Sequence, residues 1–106
     1  MRGQLVTIAT AGDFGKPRPA LIIQADVFNE HSSVSVLPVT SMLVDAPLLR
    51  VTVQPNAENG LQKPSQVMID KILTIRRDKM GPVFGRLDST TLLEIERRLT
   101  VFLGIA

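Results

Sequence analysis

Apolar residues along this chain come in short runs, separated by clusters of glycine, proline, asparagine, aspartate and serine, a spacing that predicts strands joined by turns. Residues 5–10 are rich in β-branched side chains and read as the first strand. A loop punctuated by Gly12 and Gly15 follows, and then Ala20-Leu21-Ile22-Ile23, a continuous apolar run expected of a buried strand. Residues 34–39 alternate and then turn apolar; Pro38 cannot donate to a ladder, which places it near an edge or a bulge. Residues 49–54 alternate cleanly, Asn59-Gly60 is a strong turn signal, residues 65–75 read as the next strand region, and residues 82–87 as a short last strand. At the C-terminus the period changes. Asp88 is a good N-cap, Leu92, Ile95, Leu99, Phe102 and Leu103 lie near one helical face, and Gly104 ends the helix. Glu94 and Arg98 stand i,i+4 in the favourable order on the opposite side. The pattern predicts a mainly β protein, a compact antiparallel barrel with a C-terminal α-helix. The helix is expected to lay its stripe across an open mouth of the barrel, or partly on a second subunit.

Composition narrows the class. The 106 residues suit a single domain spanning 1–106, and 44% apolar residues argue against disorder. The absence of cysteine excludes disulfides and thiolate metal sites and suits a reducing cytoplasm. The first residues lack the apolar core of a signal peptide, and no apolar run approaches the roughly 20 residues of a membrane span, so a cytoplasmic protein without membrane contact is expected. His31 is the only histidine and stands beside Glu30 and two serines. A metal site needs several convergent ligands, so His31 reads as a loop residue, with no metal and no cofactor expected.

A net charge of +2 is weak evidence for a polyanionic partner, but its distribution says more. Lys16 and Arg18 form one basic segment; Lys71, Arg76, Arg77 and Lys79 form another. They are either solvated faces or, if folding brings them together, the walls of an electrostatic groove for nucleic acid. Arg18 lies between Pro17 and Pro19, whose rings fix φ near about −65° and push Lys16 and Arg18 toward extended conformations. Its guanidinium is therefore aimed, at the edge of an apolar strand. Thr40 and Ser41 close another strand with two hydroxyls, which either cap a turn or donate to phosphate oxygens. Phe14 either plugs the core or stacks on a base. Residues 42–49 are unusually apolar for a loop and mark a partner surface. Asp70 interrupts an apolar run; it either pairs with a cation across the sheet or lines the groove.

Taken in order, Arg2-Gly3, Arg18-Pro19-Ala20-Leu21-Ile22-Ile23, Val36-Leu37-Pro38-Val39-Thr40-Ser41, Gly60-Leu61 with Lys63-Pro64-Ser65, Asp70-Lys71-Ile72 with Thr74-Ile75, and Gly85-Arg86-Leu87 resemble the MazF/PemK family of toxin endoribonucleases over essentially the whole chain. The resemblance implies an SH3-like barrel acting as a homodimer. It implies metal-independent, sequence-specific cleavage of single-stranded RNA by 2′-hydroxyl attack, leaving a 2′,3′-cyclic phosphate and a 5′-hydroxyl. Arg18 and Thr40 would form the active centre, with Lys16, Ser41, Asp70 and Lys71 as RNA-binding candidates. The implied partner besides RNA is a cognate antitoxin whose disordered acidic tail lies in the substrate groove. Two departures stand out. The first loop lacks the family's proline and Gly-Ser-Glu-like segment, keeping only Asp13 ahead of Arg18, and Met68 stands where some relatives carry a catalytic arginine. Two other readings remain open: a CcdB-like gyrase poison, whose glycine-isoleucine tail Gly104-Ile105 echoes although the chain has no tryptophan, and a catalytically silent antitoxin-binding module.

Overall fold

The apolar runs at the start of the chain are near-continuous because their strands are buried on both faces. In β1 (Gln4–Ile8), β2 (Arg18–Ile22) and β3 (Ser33–Thr40), successive side chains point to opposite sides of the sheet. Leu5, Leu21, Leu37 and Val39 enter one cluster, together with Val51, Val67, Ile69, Leu87 and Ile95. Val6, Ile8, Ala20, Ile22, Val34 and Val36 enter a second, against which Leu73, Ile75 and Met80 pack. This computed structural model describes residues 1–9 and 16–105, so the expectations for Asp13 and Phe14 fall outside the described residues.

Among the described residues the remaining elements are β4 (Arg50–Val53), β5 (Ser65–Met68), β6 (Leu73–Arg76), β7 (Met80–Arg86) and α1 (Ser89–Leu103), with short 3-10 turns at Asp26–Phe28 and Arg77–Lys79. The sheet runs β4-β5-β3-β2-β1-β7, every pairing antiparallel, with β6 added to β3. The expected antiparallel sheet and terminal helix are present. The end strands β4 and β7 do not pair, so the sheet is unclosed. No helix among the described residues is long and apolar enough to cross a membrane.

β3 carries the architecture. Its edge opposite β2 is shared by two strands: β6 pairs with residues from Ser33 to Val36, and β5 pairs with Val39 and Thr40. Residues 37 and 38 fall in the gap between those ladders, so Pro38, on an interior strand, occupies a local edge where a missing N–H costs nothing. The single strand region expected over 65–75 is therefore two strands. After Met68 the chain turns, with Lys71 N–H donating to the Met68 carbonyl at 3.3 Å, while Ile69 sinks fully into the core. An apolar run at a buried turn looks like a strand. The last strand also starts earlier than residue 82, at Met80, where it meets Ile8 of β1.

The helix is capped as its sequence suggests. The Asp88 carboxylate accepts from Thr91 N–H at 3.1 Å and from the Thr91 hydroxyl at 2.6 Å, and Gly104 closes the helix at φ 73°. Those bonds to Thr91 hold the Asp88 carboxyl below its ordinary pKa. Of the predicted stripe, Ile95 is buried and Leu92 and Leu99 pack partly on the first cluster. Phe102 and Leu103 remain exposed, because the last turn runs past the sheet.

Asn59 is 1% exposed and organises the turn before β5. Its side-chain oxygen accepts from Asn56 and Leu61 N–H, and its amide donates to the Gln54 carbonyl at 2.9 Å. Gly85 of β7 packs onto the backbone of this turn: a Cβ there would stand 2.2 Å from the Asn59 carbonyl oxygen. Gly85→Ala is accordingly expected to destabilise the fold by about 1–3 kcal/mol through overpacking, read as a lower denaturant midpoint. A second expectation concerns acid. A depressed carboxyl pKa gives stability that is present above the ordinary Asp value and is lost as pH falls through the lowered folded value. The stability difference between the native chain and Asp88→Ala should be largest near neutral pH and shrink below the usual carboxylate range, followed by acid titration of thermal melts.

Candidate active site

The strand registers set the site. Ile8 of β1 pairs with Arg18 of β2, and Thr40 of β3 pairs with Gln66 of β5. Between β2 and β3 the register runs Ile22 to Val36, Leu21 to Leu37 and Ala20 to Pro38. Continued by two residues, it sets Arg18 across from Thr40. Directly opposed residues of an antiparallel pair have Cα atoms about 4.5–5.5 Å apart. Ile8, Arg18 and Thr40 thus form a row across three strands, and their even positions share the face of the second cluster, at its open end.

A cavity of about 350 Å³ lies at that end. Arg18, Thr40 and Ser41 line its polar side; Ile8, Pro38 and Leu73 line its apolar side. It occupies the split between β5 and β6, where Pro38 leaves the edge of β3 unpaired. The Thr40 hydroxyl oxygen accepts from Met42 N–H at 3.1 Å, which leaves its own O–H available as a donor. Ser65 also lines the cavity, but its hydroxyl donates to the Lys63 carbonyl at 2.9 Å. Among the described residues lining the cavity there is no histidine and no carboxylate. Nor do three potential metal-binding side chains converge anywhere among the described residues. What the arrangement offers a ligand is one guanidinium, two hydroxyls and an apolar wall, a set suited to a phosphate group flanked by a base.

Residues 1–103 match the family described as PemK-like, MazF-like toxin of type II toxin-antitoxin system. The chain belongs to the PemK/MazF toxin family. A probable endoribonuclease MazF of Mycolicibacterium smegmatis is 46% identical, across 99% of this chain and 97% of the relative. Among solved structures, an endoribonuclease in complex with its cognate antitoxin from mycobacterial species matches with a TM-score of 0.84 at 25% identity, covering 100% of this chain and 96% of that one. The Mycobacterium tuberculosis toxin MazF-mt6 matches at 0.79 and 27% identity, over 95% of this chain and 97% of its own.

Sequence-based candidates divide in two. Arg18, Thr40 and Ser41 line the same cavity. Lys16 is exposed two residues ahead of Arg18, outside the lining. Asp70 and Lys71 sit on the turn between β5 and β6, also outside it, 3.5 Å apart from carboxylate to ammonium. One Asp70 oxygen is buried without a hydrogen-bond partner. The second basic segment is largely committed elsewhere: Arg76 pairs with Asp78 at 2.6 Å, and the Arg77 guanidinium donates to the His31 and Ser33 carbonyls. Sequence reading missed Ser65 and Leu73 as cavity residues and took Met42 only as part of the apolar loop that marks a partner surface. Only the strand registers, with β5 and β6 sharing one edge of β3, bring them beside Arg18. Met68, singled out for the arginine it replaces, also lines the wall, so the cavity is apolar where some relatives would be charged.

Proposed function

We propose that this chain is a sequence-specific endoribonuclease toxin that acts on single-stranded RNA in the cytoplasm, with Arg18 and Thr40 as its catalytic residues. The observation that carries this reading is that Arg18, Thr40 and Ser41 line one cavity, at the ends of β2 and β3. In the reaction the ribose 2′-oxygen forms a bond to the adjacent phosphorus and gives up its proton. The bond to the 5′-oxygen breaks, and that oxygen takes up a proton. The products are a 2′,3′-cyclic phosphate and a 5′-hydroxyl. Negative charge accumulates on the phosphoryl oxygens as the five-coordinate phosphorus forms. Arg18 presents fixed, bidentate donors to those oxygens, and the Thr40 O–H donates to a further one. Both groups are preorganised, Arg18 by its flanking prolines and Thr40 by the bond from Met42 N–H. On this reading charge stabilisation by these donors is the main source of rate.

Lys16, Ser41 and Lys71 contact the backbone on either side of the scissile phosphate, and Asp70 orients Lys71. A cognate antitoxin inhibits by laying a disordered acidic segment along the same groove, folding as it binds. The mycobacterial endoribonuclease solved with its cognate antitoxin supports such a partner. The working unit is a homodimer, for which the exposed Leu48, Val101, Phe102 and Leu103 supply apolar surface.

The test is incubation of the purified chain with a long single-stranded RNA in EDTA, with the fragment ends mapped. Discrete cuts bearing 5′-hydroxyls are expected. Arg18→Ala should slow them by about 10²–10³-fold, the cost of losing one preorganised donor. Thr40→Val should be impaired and Thr40→Ser largely active, whereas intact RNA with folded native protein would overturn the reading. Binding of uncleaved RNA analogue should weaken with salt, and in Lys71→Ala the slope of log affinity against log salt should fall by about 0.7, the value for one lost phosphate contact on a single strand.

A further inference from the structure

We infer that Gln66 is a positioning residue for base selection, holding the lip after β3 so that Met42 presents a fixed apolar face to the base beside the scissile phosphate. The inference rests on the endoribonuclease reading above and adds the part of the site that reads sequence. Gln66 is 6% exposed and its side chain is fully engaged. Its amide donates to the Val44 carbonyl at 3.0 Å and to the Thr52 hydroxyl at 3.2 Å. Its carbonyl accepts from Val44 N–H at 3.1 Å and from Arg50 Nη1 at 3.4 Å. Both polar groups of Val44's backbone are therefore tied to one buried amide. Across the β3–β5 ladder, Gln66 pairs with Thr40, whose hydroxyl accepts from Met42 N–H. Two residues facing each other in the sheet thus clamp the chain at positions 42 and 44.

The clamp holds apolar side chains out in solvent. Met42 is 78% exposed, Leu43 51% and Val44 49%, yet Met42 lines the same cavity as Arg18 and Thr40. A loop free to relax would turn such side chains inward; this one is tied so that they stay out. A polarizable thioether on a rigid support is a good surface for an unstacked base, whose faces are apolar and whose edges stay free to be read. The clamp removes in advance the entropy that a mobile loop would lose on binding RNA. It also fixes the distance from Met42 to the catalytic row, because Thr40 belongs to both.

The test compares cleavage rates at the preferred site and at single-base variants of that site, using the full chain. The native chain should show a strong preference at the base flanking the cut. Met42→Ala and Gln66→Ala should each reduce that preference at the same base, by about tenfold for a lost apolar contact. The double variant should go little further, since both changes remove one element. A Gln66 that served stability alone would lower the rates at all sites in proportion to the folded fraction and leave the ratio unchanged, which would overturn the inference. Met42→Ala alters an exposed residue and folds, so an unchanged ratio in it also overturns the inference, even where Gln66→Ala fails to fold. A native chain that cuts RNA without base preference refutes the base-selection role alone. One that cuts no RNA refutes the nuclease reading, and this inference with it.

Discussion

The structure depends on how β3 is shared. One edge pairs continuously with β2, while the other is divided between β6 and β5, with Pro38 in the gap. At that division Ile69 is fully buried in the first core, and the chain turns just after it, with Lys71 N–H donating to the Met68 carbonyl. The opening beside Pro38 becomes the cavity, and the ends of β2 and β3 supply Arg18 and Thr40 to its rim. A continuous strand over residues 65–75 would have closed the opening and left Arg18 on a sealed edge.

Much of this was legible because the local chemistry was consistent. Proline on both sides of Arg18, hydroxyls at the end of β3, Asn59-Gly60 at a turn and Asp88 at a helix start each have a local reason, and local reasons survive folding. What was not legible was decided by pairing. The run through residues 65–75 is apolar because Ile69 and its neighbours are buried, and burial alone does not separate a strand from a buried turn. The basic segment around residues 76–79 reads from sequence either as a solvated face or as a groove wall. In the fold, Arg77 instead ties the β2–β3 connection to the turn before β7 through two carbonyls, and Arg76 is neutralised by Asp78. Charge counted along a sequence overstates the charge a ligand meets.

The helix shows the same separation between pattern and outcome. Its stripe has the right period, but only Ile95 is buried and Leu92 and Leu99 are half-covered. Periodicity reports which face is apolar; the length of the sheet beneath decides how much of that face is used. Val101, Phe102 and Leu103 stay exposed, and Val101 lines a shallow cavity with Leu48 of the loop before β4.

On the proposed reading, the same physics lets the site be selective without being large. On that reading, Arg18 and the hydroxyl of Thr40 address phosphate, which every nucleotide carries, so they contribute no sequence information. Discrimination has to come from a surface held at a fixed distance from them. A loop anchored only at its ends would not hold that distance, because each added residue multiplies the conformations it samples. Here the lip departs directly from Thr40 and is tied again at Val44 by Gln66, the residue paired with Thr40 across the ladder. On the proposed reading, the group that meets the phosphate and the group that meets the base therefore share one rigid support, and a shift in either moves both.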